Sequence, residues 1–441
     1  MSSQVSSIVQ SFRPTKLKVA VIGTGYVGLT TGACFAKLGH TVVCADILPE
    51  KVERLKRGEI PIFEDGLEEL VHAGLENGRL KFVLGAAAAA KDCDFAFMCL
   101  PTPQDADGSA DLSYLLTAAA QIATVLPTGA IVVNKSTVPV GSAQRVEQAL
   151  GRKDVFVASN PEFLREGTAV HDLFRPDRIV IGGPSEAVTA KVAELYANVD
   201  APILRESTST AELIKYASNS FLAAKISFAN SISNLCEAVG ADAHEVLRGM
   251  GYDQRIGSKF LNPGPGWGGS CFPKDVYALI RTAEESGYEF DLLKAVINAN
   301  DVQHDLMIGK IAELLGGKIA GATIAVWGLA FKAGTDDTRQ SPAIRIIDRL
   351  VELGANVQAY DPGTASPVDG VTISPDALSA CEGADILIVL TEWPEFGQVS
   401  LEDVASRLLH KRLFDTRNII KLDLLKQLGF EFASVGHVAA S

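Results

Sequence analysis

Apolar residues along this chain follow two rhythms. The first is a short, nearly unbroken run, seen in Val19 to Ile22, "CDFAFMCLPTP" (Cys93 to Pro103), "AIVVNKSTVPVG" (Ala130 to Gly141) and "DVFVASNPEFLREG" (Asp154 to Gly167). Each reads as a buried strand that runs out into polar, proline-containing loop residues. The second rhythm is helical: Leu213, Ala217, Phe221, Ala224, Phe228, Ile232 and Leu235 recur on one face between Ser207 and Gly240. They predict a helix of about 30 residues, roughly 45 Å long, a length suited to bridging domains or building a subunit interface. Ser209 with Glu212 fits a capping box at its start, and Gly240 suits its end. Beyond about residue 316 the strand, loop, helix and strand order of the first domain returns in "ATIAVWGLAFKAGTDDTRQSPAIRIIDRLVELGANVQAYDP", and "ADILIVLTEWPEF" echoes "CDFAFMCLPTP". The expected architecture is α/β, two Rossmann-like doubly wound domains joined by a long central helix. Its expected domains are residues 1–205, 206–315 and 316–441. The alanine run Ala86 to Ala90 lies beside a strand without evident function, and "MSSQVSSIVQSFRPTK" reads as a frayed tail.

Composition narrows the classes. With 441 residues, 47% of them hydrophobic, the chain can bury substantial cores. No apolar run approaches the roughly 20 residues of a membrane span, and the N-terminus lacks the apolar centre of a secretion signal. Seven cysteines are scattered without a C-x-x-C pair or a Cys/His cluster. That favours a reducing, cytoplasmic setting and no structural metal. A net charge of −13 argues against nucleic acid and anionic membrane as partners, while leaving an anionic small ligand open to local cations.

The first domain carries dinucleotide chemistry. Gly23, Gly25 and Gly28 stand in G-x-G-x-x-G spacing between a strand and a small-residue helix. The first permits a tight turn, the second lets backbone approach a pyrophosphate, and the third allows close helix packing. The helix start offers N–H groups to phosphate. Asp46, closing the next strand, suits a ribose diol and favours NAD, with Lys51 nearby as the dissenting note. Thr102, Ser136, Thr137, Glu162 and Glu166 fall in loops at strand carboxyl ends, where ligands collect in such sheets.

"GWGGSCFPKD", Gly266 to Asp275, places one cysteine among glycines. A thiol becomes useful when an aldehyde is oxidised further: its adduct can release a hydride and leave a thioester that water hydrolyses. The glycines would let ligands approach closely, Lys274 would lower the thiol pKa, and Asp275 would position a water or accept a proton. A buried structural thiol is the alternative at this level. Lys215 and Asn219 share one helix face. The repeat domain lacks the glycine fingerprint and offers Lys332, Thr335, Asp336, Asp337, Thr338 and Arg339, which suits a nucleotide's phosphates better than a second dinucleotide. The seven histidines occupy none of these motifs.

Taken together, "GTGYVG", "KSTVPVG", "NPEFLREGTAVHDLFRPDRIVIG", "IKYASNSFLAAKISFANSI", "GWGGSCFPKD" and "GLAFKAGTDDTRQSP" resemble the nucleotide-sugar 6-dehydrogenase family, and within it the UDP-glucose 6-dehydrogenases. The resemblance implies oxidation of a sugar's primary alcohol to a carboxylate with two NAD consumed. It implies Cys271 as nucleophile, Lys215 and Asn219 at the oxyanions, and Asp275, Thr137 and Glu162 managing protons and water. For NAD it implies Gly23, Gly25, Tyr26, Val27, Gly28, Asp46, Lys51, Thr102, Thr137, Glu166, Lys274 and Arg339. For UDP-sugar it implies Glu162, Phe163, Leu164, Lys215, Asn219, Phe260, Asn262, Gly268 and Lys332, and Arg255 reaching in from the other subunit of a homodimer. Arg417 has an ambiguous register in the family pattern. Ser270, where relatives acting on N-acetylated sugars tend to carry proline, leans towards an unacetylated sugar. Other nucleotide sugars (a UDP-N-acetylhexosamine or GDP-mannose) and a two-electron hydroxyacid dehydrogenase are the competing functions.

Overall fold

The computed structural model describes residues 16–105 and 108–437. The tail expected at the N-terminus falls on residues 1–15, outside the described residues. Eight strands form the first sheet: β1 (Lys18–Ile22), β2 (Thr41–Asp46), β3 (Leu80–Leu84), β4 (Phe95–Met98), β5 (Ile131–Asn134), β6 (Phe156–Ser159), β7 (Ile179–Gly182) and β8 (Ile203–Glu206). Their order is β3-β2-β1-β4-β5-β6-β7-β8. All pairs are parallel except β6 and β7, which meet antiparallel through Ser159 and Gly182. The strand order reverses between β1 and β4, so the loops leaving those strands open the crevice where such sheets take ligands. Helices cover both faces, burying Leu29, Phe35 and Tyr196 on one and Leu115 and Ile122 on the other. The alanine run forms a five-residue helix, Ala86–Ala90, whose small side chains at Ala86, Ala89 and Ala90 are buried against the second face.

The second sheet has six strands: β9 (Thr323–Trp327), β10 (Asn356–Tyr360), β11 (Val371–Ile373), β12 (Ile386–Val389), β13 (Arg412–Asp415) and β14 (Glu431–Ser434). Its order, β11-β10-β9-β12-β13-β14, is parallel throughout and repeats the first six positions of the other sheet. The duplicated strand, helix and strand pattern in the sequence has this physical origin. The chain divides into two compact units. One holds residues up to Ser218 together with Tyr277–Ser286, and the other holds Asn219–Val276 and everything from Gly287.

The long helix runs from Thr208 to Val239, 32 residues. One expectation about it needs correction. Ser209 and Glu212 form no capping box, because the helix begins two residues earlier, at Thr208. The hydroxyl of Ser207 accepts the Thr210 N–H at 3.2 Å and does the capping. Glu212, 2% exposed, instead accepts from the N–H groups of Gly141 (2.8 Å) and Ala143 (3.0 Å) and from Ser159 Oγ (3.0 Å). It satisfies the start of the helix Ser142–Leu150, whose first N–H groups have no acceptor within their own helix. The apolar stripe of Leu213, Phe221, Phe228 and Leu235 points outward, Phe221 being 67% exposed. The buried face mixes small apolar residues with polar ones: Lys215, Asn219, Ser220, Ser227, Asn230 and Ser233.

Candidate active site

The cofactor loop follows β1. Gly23 has φ +96°, and a Cβ there would stand 2.3 Å from the Cys99 carbonyl oxygen. At Gly28 a Cβ would meet Gly23 O at 1.9 Å, while nothing stands within 4 Å of one at Gly25. Turn, packing and open approach are thus divided among the three glycines as the spacing requires. Asp46 ends β2 with its carboxylate accepting from Thr24, from Lys51 Nζ at 3.0 Å, and from the N–H groups of Ile47 and Leu48. Burial alone would raise Asp46; the hydrogen bonds from Thr24 and Lys51 outweigh it and hold the carboxyl below its usual range. An open backbone approach at a helix start, with a fixed carboxylate on the neighbouring strand, fits a dinucleotide. Tyr26 is placed beside this loop, with its hydroxyl bonded to Glu64 and accepting the Gly167 N–H at 2.8 Å. Val27 is half-buried in the same turn.

The loops after β4, β5 and β6 are tied together. Thr102 Oγ1 donates to the Thr137 carbonyl at 2.9 Å, and Ser136 Oγ donates to Leu100 O at 2.6 Å. After β6, Glu162 is buried and its Oε1 accepts from Lys215 Nζ at 3.0 Å; Oε2 accepts the Leu164 N–H at 2.6 Å. Burial would raise Glu162, but the Lys215 ammonium and the Leu164 N–H overcome it and keep the carboxyl below its usual range. The intervening Phe163 ring carries the Arg178 guanidinium 3.7 Å from its centroid and Lys215 Nζ at 5.3 Å. Glu166, half-buried, closes this loop. One buried ion pair, a fixed aromatic face and two threonines therefore gather at the strand ends of the first unit.

In the second unit Cys271 immediately precedes the helix Phe272–Glu285 and gives it its first hydrogen bond, Asp275 N–H to Cys271 O at 3.0 Å. The other six cysteines are buried, and burial pushes the thiols of Cys93, Cys99 and Cys381 up to about 12. Cys271 is partly exposed, at the N-terminal end of that helix. Asp275, wholly buried, accepts from Asn219 Nδ2 at 2.6 Å and from Lys274 Nζ at 2.6 Å. Lys274 thus serves the carboxylate first. The glycines before Cys271 are also required by the protein's own packing. A Cβ at Gly266 would lie 2.6 Å from His304 Nε2, one at Gly268 2.0 Å from Gln340 O, and one at Gly269 2.9 Å from the Phe331 ring.

That loop sits in a polar cradle that motif reading missed. Asn300 accepts the Trp267 N–H at 2.8 Å and donates to Trp267 O at 3.0 Å, Gln303 donates to Gly264 O at 2.8 Å, and Asn230 accepts the Gly264 N–H at 2.8 Å. Ser227 accepts from Trp267 Nε1 at 2.8 Å. These groups come from the helix Asp291–Leu314 and the inner face of the long helix. Buried loop backbone must find partners, and this requirement explains why the long helix turns its polar side inward. Polar residues at helical spacing, Asn300 with Gln303 and Ser227 with Asn230, were the available clue.

The repeat of the cofactor turn after β9 is closed by its own carboxylate. Asp361 accepts the N–H groups of Leu329 (2.7 Å) and Ala330 (3.0 Å), where the first domain leaves room at Gly25. Lys332 is half-buried with Nζ 5.7 Å from the Phe331 ring centroid. Arg417 donates from Nε to Leu390 O at 2.8 Å and from Nη2 to Phe331 O at 3.2 Å, and Glu392 lies 3.2 Å away. Asp415 accepts the N–H groups of Arg417, Asn418, Ile419 and Ile420, which shapes the loop bearing that arginine. Arg417 and Lys332 thus both border Phe331. Phe260 holds φ +64° with its ring 6.3 Å from Phe272, and Asn262 is exposed. Arg339 and Arg255 are each drawn to an aspartate two residues earlier, Asp337 and Asp253, and the Arg255 side chain is 89% exposed.

Sequence profiles of the UDP-glucose/GDP-mannose dehydrogenase family match the chain three times: the NAD binding domain over residues 17–200, the central domain over 209–302 and the UDP binding domain over 325–422. The UDP-glucose 6-dehydrogenase TuaD of Bacillus subtilis is 44% identical over 432 residues, covering 96% of this chain and 94% of that protein. The UDP-glucose 6-dehydrogenase of Rhizobium meliloti is 45% identical, with 95% and 99% covered. Among solved structures, a UDP-glucose dehydrogenase from Pyrobaculum islandicum superposes with a TM-score of 0.86 at 39% identity, covering 93% of this chain and 96% of that one.

Proposed function

Because the chain belongs to the UDP-glucose/GDP-mannose dehydrogenase family, we propose that it oxidises the C6 alcohol of UDP-glucose to the carboxylate, with Cys271 holding the intermediate. Bound NAD supplies the hydride acceptor for each of the two oxidations. The glycine loop, Tyr26, Val27, Asp46, Lys51, Thr102, Glu166, Lys274 and Arg339 would hold it. The UDP-sugar would meet Lys332, Phe163, Leu164 and the segment from Phe260 to Gly268. Relatives on 40–45% identity are named UDP-glucose 6-dehydrogenases, which supports that sugar.

Loss of a hydride from C6, and of the hydroxyl proton to Glu162 or the water it holds, leaves an aldehyde. The Cys271 sulfur then bonds to the aldehyde carbon, and the carbonyl oxygen gains a proton to complete a thiohemiacetal. This adduct loses a second hydride and the hydroxyl proton, which gives a thioester. Water held by Thr137, Glu162 and Asp275 attacks the acyl carbon; the C–S bond breaks, the thiol is regained and the carboxylate leaves. Lys215 and Asn219 stabilise the oxyanions formed along the way. The observation carrying this reading is Cys271 itself, the partly exposed thiol at a helix start beside a buried Asn219–Asp275 pair and the half-buried Lys274. Cys271→Ser is expected to abolish net formation of UDP-glucuronate, leaving at most a stalled hemiacetal adduct visible by intact-mass measurement. A serine variant with more than about a hundredth of wild-type turnover would overturn the covalent route.

A homodimer in the cytoplasm completes the proposal. The outward stripe of Leu213, Phe221, Phe228, Leu235 and Val239 supports self-association, and Arg255, exposed and held by Asp253 of its own loop, would serve a second subunit's site. Seven unbridged cysteines and a need for NAD support the location.

A further inference from the structure

The segment "KSTVPVG" supplies Thr137 to the reaction, yet its first residue has no part in it so far. Lys135 directly follows β5 and is only 5% exposed. Its Nζ donates to Asn160 Oδ1 at 3.2 Å and to Tyr196 Oη at 3.4 Å, both neutral groups. Neither bond is needed to hold Asn160. Asn160 Oδ1 also accepts from Tyr196 Oη at 2.5 Å, and Asn160 Nδ2 donates to Val180 O at 2.8 Å. A buried ammonium held by neutral partners costs stability, so a purely architectural role gives it no reason to be there.

Its surroundings supply one. Asn160 stands two residues before Glu162 in the loop leaving β6, so the lysine is moored to the segment that carries the buried carboxylate. The charges acting on Lys135 are those of Glu162, on that loop, and Lys215, on the long helix; the neutral Cys99 thiol, beyond β4, and the phenol of Tyr196 face it as well. Burial pushes Lys135 down to about 8, with Glu162 opposing that fall. Two buried lysines therefore act on one buried carboxylate. In the proposed reaction Lys215 must turn its charge to oxyanions on the substrate, and Glu162 then loses much of its ion-pair partner. Lys135, fixed by Asn160 and Tyr196, keeps its place throughout.

We propose that Lys135 is a positioning residue whose fixed positive charge keeps Glu162 a carboxylate while Lys215 serves the substrate. The proposal rests on the reading of Glu162 as a proton-handling group, so wild-type oxidation of UDP-glucose is measured first, where a failure of that reading shows by itself. Lys135→Met keeps the side chain's bulk and removes its charge. The acid limb of its kcat profile is expected to move up by about one pH unit, with Tm unchanged or raised. In a Glu162→Gln background the same change is expected to add no further loss of kcat. Lys135→Gln, which retains hydrogen-bonding capacity towards Asn160 and Tyr196, is expected to show the same shift and serves if the methionine variant does not fold. Acid limbs that coincide with wild type, or a Lys135→Met penalty undiminished in the Glu162→Gln background, would overturn the proposal.

Discussion

Glu162 and Lys215 are each almost wholly buried and meet at 3.0 Å, so each makes the other tolerable. Removing one partner of such a pair leaves an uncompensated charge and typically costs about 3–5 kcal/mol. The folded protein holds Glu162 below its ordinary value of 4.5. Its contribution to stability is therefore present above about pH 4.5 and is lost as pH falls through the lower folded value. Glu162→Gln is expected to flatten the acid-side fall in stability, measured by denaturant unfolding between about pH 6 and pH 3; an unchanged slope would mean other carboxyls dominate. The proposed site residues Cys271, Asp275, Lys215 and Asn219 could be singled out in the sequence because the motifs that carry the family resemblance are contiguous. Asp361 and Asp415 were not, since each acts by accepting backbone N–H groups that only the fold brings to it.

Among the elements, the helix Asp291–Leu314 has the clearest consequence. Asn300 satisfies both the N–H and the carbonyl of Trp267, four residues before Cys271. Asn300→Ala leaves two buried backbone groups without partners, a loss of about 1–3 kcal/mol for each. Lower Tm and a kcat reduced more than the KM for NAD are the expected results. The long helix teaches a different lesson. Its length and its stripe were readable from periodicity, but a period does not say which face is buried. The loop backbone beneath it demanded polar partners, so the apolar side was left outside. Phe221→Glu with Phe228→Glu is expected to yield monomers by light scattering, whereas dimers of wild-type strength would remove this stripe from the interface.

For the whole molecule, two doubly wound sheets were predictable because their strands are short, apolar and followed by polar loops, whereas the two added strands and the antiparallel β6–β7 pair of the first sheet were not. The division into units was harder to see: it falls within the long helix and assigns Tyr277–Ser286 to the first unit, a matter of tertiary contact that local pattern does not encode. An acidic chain of net charge −13 handling an anionic nucleotide sugar is consistent once Lys332 and Arg417 are found beside one aromatic ring. The central claim is that one protein carries an alcohol through two oxidations on Cys271. Its most direct test is the NADH formed per mole of limiting UDP-glucose, followed by absorbance to completion with excess NAD. Two NADH per sugar is the predicted result; one, with an aldehyde or ketone product, would contradict it.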